Sequence, residues 1–153
     1  MTTSATSHYG AHAGTPKPLP QAAAEPHAPL LRRKRVYIVD DHRFFVAGLS
    51  SLINHDEAME VCGSSADGRK VVSEVRRLQP DLVIMDVKLP RVSGLVVARN
   101  LRRYLGNVQI LFISSLGEAH IREEACNAGA VGFLDKAQEP ERIMDGVRHA
   151  LGL

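Results

Sequence analysis

The sequence predicts a doubly wound α/β domain: a five-stranded parallel sheet with helices on both faces. Two observations carry this. From residue 35 onward, short runs rich in β-branched residues alternate with longer segments whose apolar residues fall at helical spacing. The short runs are apolar almost throughout, as strands covered on both faces are, and parallel neighbours need a crossover connection, usually a helix.

The first strand is read at VYIV (36–39), and Phe45, Leu49 and Leu52 mark the helix after it. MEVCG (59–63) is the second strand. Val71, Val72, Val75 and Leu78 mark the second helix, with Asp67 as its N-cap and its end before Pro80. LVIM (82–85) is the third strand, followed by a helix through Leu95, Ala98, Leu101 and Leu105. QILFI (109–113) is the fourth, with Ile121, Ala125 and Ala128 on the next helix. VGFL (131–134) is the fifth, and Ile143, Val147 and Leu151 mark a last helix with Pro140 in its first turn.

At 153 residues, 44% apolar and 24% charged, the chain can form one domain with a substantial core and has residues to spare. The surplus is residues 1 to 31, built from Thr, Ser, Ala, His and Pro, with five of the eight prolines and no apolar period. Such a composition cannot offset its ordering entropy, so residues 1–33 are expected to be a disordered tail and 34–153 the folded domain. No run has the apolar core of a secretory signal or transmembrane length, which predicts a soluble, cytoplasmic protein with no membrane contact. Cys62 and Cys126 lack a C-x-x-C partner and are expected as reduced thiols. A net charge of +2 is too small to argue for nucleic acid, and the basic run LRRKR (31–35) reads as a solvated flank. GSSADGRK (63–70) approaches a phosphate-binding loop. Arg69 and Lys70 stand where its lysine and hydroxyl belong, so it is read as a loop and helix cap.

In a doubly wound sheet the functional site lies beyond the carboxyl ends of the strands, where strand order reverses. The residues there are Asp40 and Asp41 after the first strand, Asp86 after the third, Ser114 and Ser115 after the fourth, and Asp135 and Lys136 after the fifth. Of these, Asp40, Asp41 and Asp86 are three carboxylates that would converge on one crevice, and they repel unless they take up protons or share a cation. Mg2+ suits one or two carboxylates with carbonyl, water and phosphate oxygens, and the lysine suggests an anion larger than a carboxylate. This chemistry points to phosphoryl transfer.

VYIVDDH (36–42), LVIMDVKLP (82–90), ILFISS (110–115) and AGAVGFLDK (128–136) closely resemble the receiver domain of bacterial response regulators, the CheY-like family of two-component signalling. The resemblance covers about residues 34 to 152, with the motifs in the family's order and spacing. It implies the flavodoxin-like strand order 2-1-3-4-5, of which CheY itself is a standard example. It also implies that Asp86 is the phosphoacceptor, taking its phosphoryl group from a sensor histidine kinase or phosphotransfer protein. Asp41, Asp86 and the backbone carbonyl of Lys88 would hold Mg2+, with Asp40 reaching it through water. Lys136 would pair with the Asp86 carboxylate and then with its phosphoryl group, Ser114 would bind a phosphoryl oxygen, and Phe133 takes the place of the aromatic switch.

The motifs are most like those of receivers that precede a helix-turn-helix output domain. None follows here, so the expectation is a stand-alone receiver that is not an enzyme and binds no nucleic acid itself. It would signal to a downstream protein through Arg122, Glu123 and Arg142, with a phosphorylation-dependent homodimer over the first and fifth helices as the alternative. Lys88 and Leu116, two places after Asp86 and Ser114, would flank the path of attacking water and make the phosphoryl group long-lived. Two departures from the family pattern concern switching: Ala137 stands where many relatives have proline, and Phe133 lacks the hydroxyl of tyrosine. Two rival functions are a DNA-binding regulator whose output domain lies outside this sequence, and an Asp-nucleophile phosphatase. Lys88 argues against the phosphatase, because it occupies the position of that enzyme's general acid.

Overall fold

The computed structural model describes residues 32–106, 108–115 and 119–153. The expected tail, apart from Arg32 and Arg33, lies outside the described residues, as does Leu116. Ten elements alternate along the chain: β1 (Lys34–Val39), α1 (Arg43–His55), β2 (Met59–Ser65), α2 (Val71–Leu78), β3 (Leu82–Asp86), α3 (Gly94–Leu105), β4 (Gln109–Ser114), α4 (Ala119–Asn127), β5 (Gly132–Asp135) and α5 (Pro140–Leu151). The strands are parallel, in the order β2-β1-β3-β4-β5. This is the order that the resemblance implies.

Successive strand residues face opposite sides, so each apolar run feeds two cores. Tyr37, Val39, Val83, Met85, Ile110 and Phe112 pack with α2, α3 and α4. Val36, Ile38, Leu82, Ile84, Leu111 and Ile113 pack with α1 and α5. Right-handed crossovers account for α1 to α4, since the step from β1 to β2 runs one way along the sheet and the steps from β2 through β5 run the other, while α5 follows the last strand and packs on the α1 side.

Two local expectations need correction. The basic run is not simply solvated, because β1 begins at Lys34 and three arginines tie it down. Arg32 donates to both oxygens of Asp81 at 2.9 and 3.0 Å. Arg33 donates to the carbonyls of Asn54 and Asp56, and Arg35 to that of Leu78. Asn54 lies in the last turn of α1 and Leu78 ends α2, where unpaired carbonyls attract cations. Asp67 is not the N-cap of α2 either. Its carboxylate accepts the Arg69 N–H at 3.1 Å, a cap-type bond, but it caps a turn over residues 68–70, and the helix starts at Val71 with Lys70 as N-cap. The Arg69 side chain folds back onto the same carboxylate, so this segment forms a loop and cap.

Candidate functional site

Strand register assembles the site. Val39 pairs with Met85, so the next residue of each chain, Asp40 and Asp86, leaves the sheet at one level, at the point where strand order reverses. Ser114 ends β4 opposite Asp135 of β5, and Lys136 follows, its N–H held by the Ser114 carbonyl at 3.0 Å. Among the described residues, the buried polar or charged ones are Asp40, Asp86 and Ser114. All three lie on this edge. Burying carboxylates is costly without partners, and here the partner is a cation.

Lys136 Nζ lies 2.7 Å from Asp86 Oδ2 and 2.6 Å from Asp40 Oδ2, with the lysine side chain 9% exposed. The expected Lys136–Asp86 pair is thus present, and Asp40 shares it. The Asp86 carboxylate is correspondingly covered. The Lys88 N–H donates to Asp86 Oδ1 at 3.0 Å, while its side chain is exposed. Burial pushes the Asp86 carboxyl above its usual range. The Lys136 and Lys88 hydrogen bonds and the lysine charge oppose the shift, and Asp40 adds to it. Gly94 opens α3 directly against this strand end. Its N–H donates to the Val87 carbonyl at 2.9 Å, and a Cβ there would overlap the Asp86 carbonyl oxygen.

Asp41 is exposed and faces the same crevice. One ligand atom from each of Asp40, Asp41, His42 and Asp86 lies within 4.8 Å of the others. Asp40 Oδ2, fully buried, takes no aligned hydrogen bond although the ammonium is close. Three carboxylates that converge on one lysine ammonium leave excess negative charge, and their hard oxygens fit a divalent cation. Phe133 stands apart from the cluster. It pairs with Phe112 in the sheet, and the Arg122 guanidinium lies over its ring, 4.6 Å from the centroid. Arg122, Glu123 and Arg142 are all exposed, as a contact surface requires.

Two neighbours of the site escape sequence reasoning. His42 follows the paired aspartates, and its imidazole, a common metal ligand, was the available signal. Phe45 reads as a core residue of α1, yet its ring lies 5.0 Å from the Lys136 ammonium and covers it. Phe45 also lines an apolar groove with Phe44, Leu49, Leu52, Lys136 and Pro140, in which Phe44 is 96% exposed.

A doubly wound sheet with buried acidic residues clasped by one lysine at its switch point defines a CheY-like signalling domain. The chain belongs to the response regulator receiver domain family, whose model matches residues 36–148. It is 33% identical over 116 residues to the uncharacterized transcriptional regulatory protein YxjL of Bacillus subtilis, covering 76% of this chain and 53% of that protein. It is 32% identical to the chemotaxis protein CheY of Thermotoga maritima, covering 74% and 94%. The Borrelia burgdorferi CheX–CheY–BeF3–Mg2+ complex superposes with a TM-score of 0.70 at 25% identity, over 76% of this chain and 87% of that one. The chain spans about half the length, or less, of the first curated relatives it matches.

Proposed function

We propose that this receiver accepts a phosphoryl group on Asp86 from the phosphohistidine of a sensor kinase or phosphotransfer protein, and that Mg2+ serves the transfer. The observation that carries the reading is the buried Asp86 carboxylate held at 2.7 Å by Lys136 beside two further aspartates. Asp41 and Asp86, with the Lys88 carbonyl, would hold the ion, and Asp40 would orient its water. When bound, Mg2+ neutralises charge on the acidic cluster and on the incoming phosphoryl oxygens. Asp86 Oδ1 or Oδ2 attacks phosphorus, the P–N bond to the donor imidazole breaks, and the ring nitrogen keeps the electron pair. Lys136 stays with the transferred group and balances its charge, and the Ser114 hydroxyl binds one of its oxygens. The strand holds the nucleophile rigidly, so positioning and charge neutralisation supply the catalysis.

The apolar groove beside Lys136 gives a donor helix a seat next to Asp86. Output then passes through the face bearing Arg122, Phe133 and Arg142 to a protein partner. Similarity to a transcriptional regulator favours a second reading, in which a DNA-binding partner domain uses that same face. The test of the primary reading is intact-mass analysis after incubation with acetyl phosphate or phosphoramidate. One Mg2+-dependent phosphate is expected on the wild type and none on Asp86→Asn; label retained by the variant overturns it.

A further inference from the structure

The acidic pocket contains a nitrogen donor that a carboxylate reading leaves out. His42 Nδ1 lies 3.2 Å from Asp40 Oδ1 and 3.4 Å from Asp41 Oδ1. Neighbouring ligands on an octahedral ion with bonds of about 2.1 Å sit about 3 Å apart. The imidazole is therefore within a few tenths of an ångström of the separation that sharing one ion requires. The fully buried Asp40 side chain shares this space, with Oδ1 toward the imidazole and Oδ2 2.6 Å from the Lys136 ammonium, and one ligand atom from each of Asp40, Asp41, His42 and Asp86 lies within 4.8 Å of the others.

The same distances also suit a hydrogen bond between the ring and Asp40 Oδ1. That oxygen already accepts the backbone N–H of His42 at 2.9 Å, and the His42 side chain is 68% exposed. A cation bound between these groups would replace the bond between the ring and Asp40 Oδ1 and leave the backbone one in place.

We propose that His42 is a nitrogen ligand of this pocket and tunes it toward the later divalent transition ions, Co2+ and Ni2+, without strengthening its hold on Mg2+. The proposal rests on the reading above only for the location of the pocket. Mg2+ keeps oxygen ligands, whereas an imidazole raises affinity for first-row ions in the Irving–Williams order. An oxygen-only version of this pocket would discriminate less. With His42 present, the ion that loads the receiver depends on which metals are available.

The test uses the full chain with His8→Gln, His12→Gln and His27→Gln, which removes competing N-terminal imidazoles. Mg2+ and Co2+ affinities are measured by calorimetry, and bound Mn2+ is examined by pulsed EPR for coupling to imidazole nitrogen. Adding His42→Gln should weaken Co2+ by about tenfold or more, change Mg2+ by less than about twofold, and abolish the nitrogen coupling. Unchanged Mg2+ binding also shows that the variant is folded. Nitrogen coupling that is absent from the parent or survives His42→Gln overturns the proposal. So does an equal loss for both ions, since His42 would then only orient Asp40. Phosphorylation of Asp86 is scored on the same proteins by intact mass; its absence from the parent sinks the phosphoacceptor reading while the metal result stands.

Discussion

Lys136 is asked to neutralise two buried carboxylates at once, so its removal and that of Asp86 should have opposite effects. Taking away one partner of a buried charge cluster typically costs about 3 kcal/mol or more, because the remaining charges stay desolvated. Lys136→Met should therefore lose roughly that much stability in urea denaturation with EDTA, and recover part of it with saturating Mg2+, which supplies the missing positive charge. Asp86→Asn removes a carboxylate that burial disfavours and leaves Lys136 with Asp40. It should be more stable than wild type by about 1 kcal/mol at neutral pH, as functional-site residues often are when neutralised. The sign with pH follows from the raised carboxyl. Protonation favours the fold below the unfolded value of about 3.9, and that contribution is lost as pH rises through the higher folded value. The advantage of Asp86→Asn should thus grow from pH 4 to pH 8 in thermal melts, and a gap that narrows over this range would contradict the account.

The helices are tied together where their ends leave polar groups unpaired. Asp56 caps the C-terminal end of α1, accepts the Ala58 N–H at 2.8 Å, and pairs with Arg148 of α5. The Ala58 bond first, then Arg148, hold its carboxyl below the ordinary carboxylate range. Its contribution is complete above the unfolded value of about 3.9 and fades as pH falls through the lower folded value. Asp56→Asn should cost about 1 kcal/mol at pH 7, with the deficit closing as pH drops toward 2. Denaturant midpoints across that range provide the measurement. On the opposite face, the Tyr37 hydroxyl, buried in the sheet, donates to Glu74 in the first turn of α2, and burial together with that carboxylate pushes the phenol well above its usual range. Each face of the sheet thus has a polar pin joining a helix to the rest of the fold.

Across the whole molecule, the site at the strand ends and the exposed face of α4, β5 and α5 are linked by short rigid segments. Ser114 and Lys136 join the ends of β4 and β5, and Phe133 sits three residues before Lys136, beneath Arg122. Phosphorylation that moves Ser114 or Lys136 should therefore disturb β5 and α4 before it reaches α2, which lies near the far edge. Hydrogen exchange with and without acetyl phosphate and Mg2+ should show changes concentrated in residues 119–135 and in α5, absent in Asp86→Asn. Changes spread evenly through α2 and β2 would argue against output through this face.

The sequence by itself determined the alternation of strands and helices and which side chains stand at the strand ends, because these depend on local spacing and on runs of apolar residues. Asp40, Asp86, Ser114 and Lys136 were all legible for that reason, and the family motifs fixed the strand order. Only the tertiary structure decided which helix covers which face, since strands apolar on both sides carry no sign of it and crossover handedness settles the matter. It also decided that Lys136 clasps Asp40 as well as Asp86, that the basic run is anchored at helix ends, and that Asp67 caps a turn rather than α2. The Lys136–Asp86 pair spans 50 residues of chain. Contacts across such distances depend on strand register and on where helix ends leave carbonyls unpaired, and neither is written in any local stretch of residues.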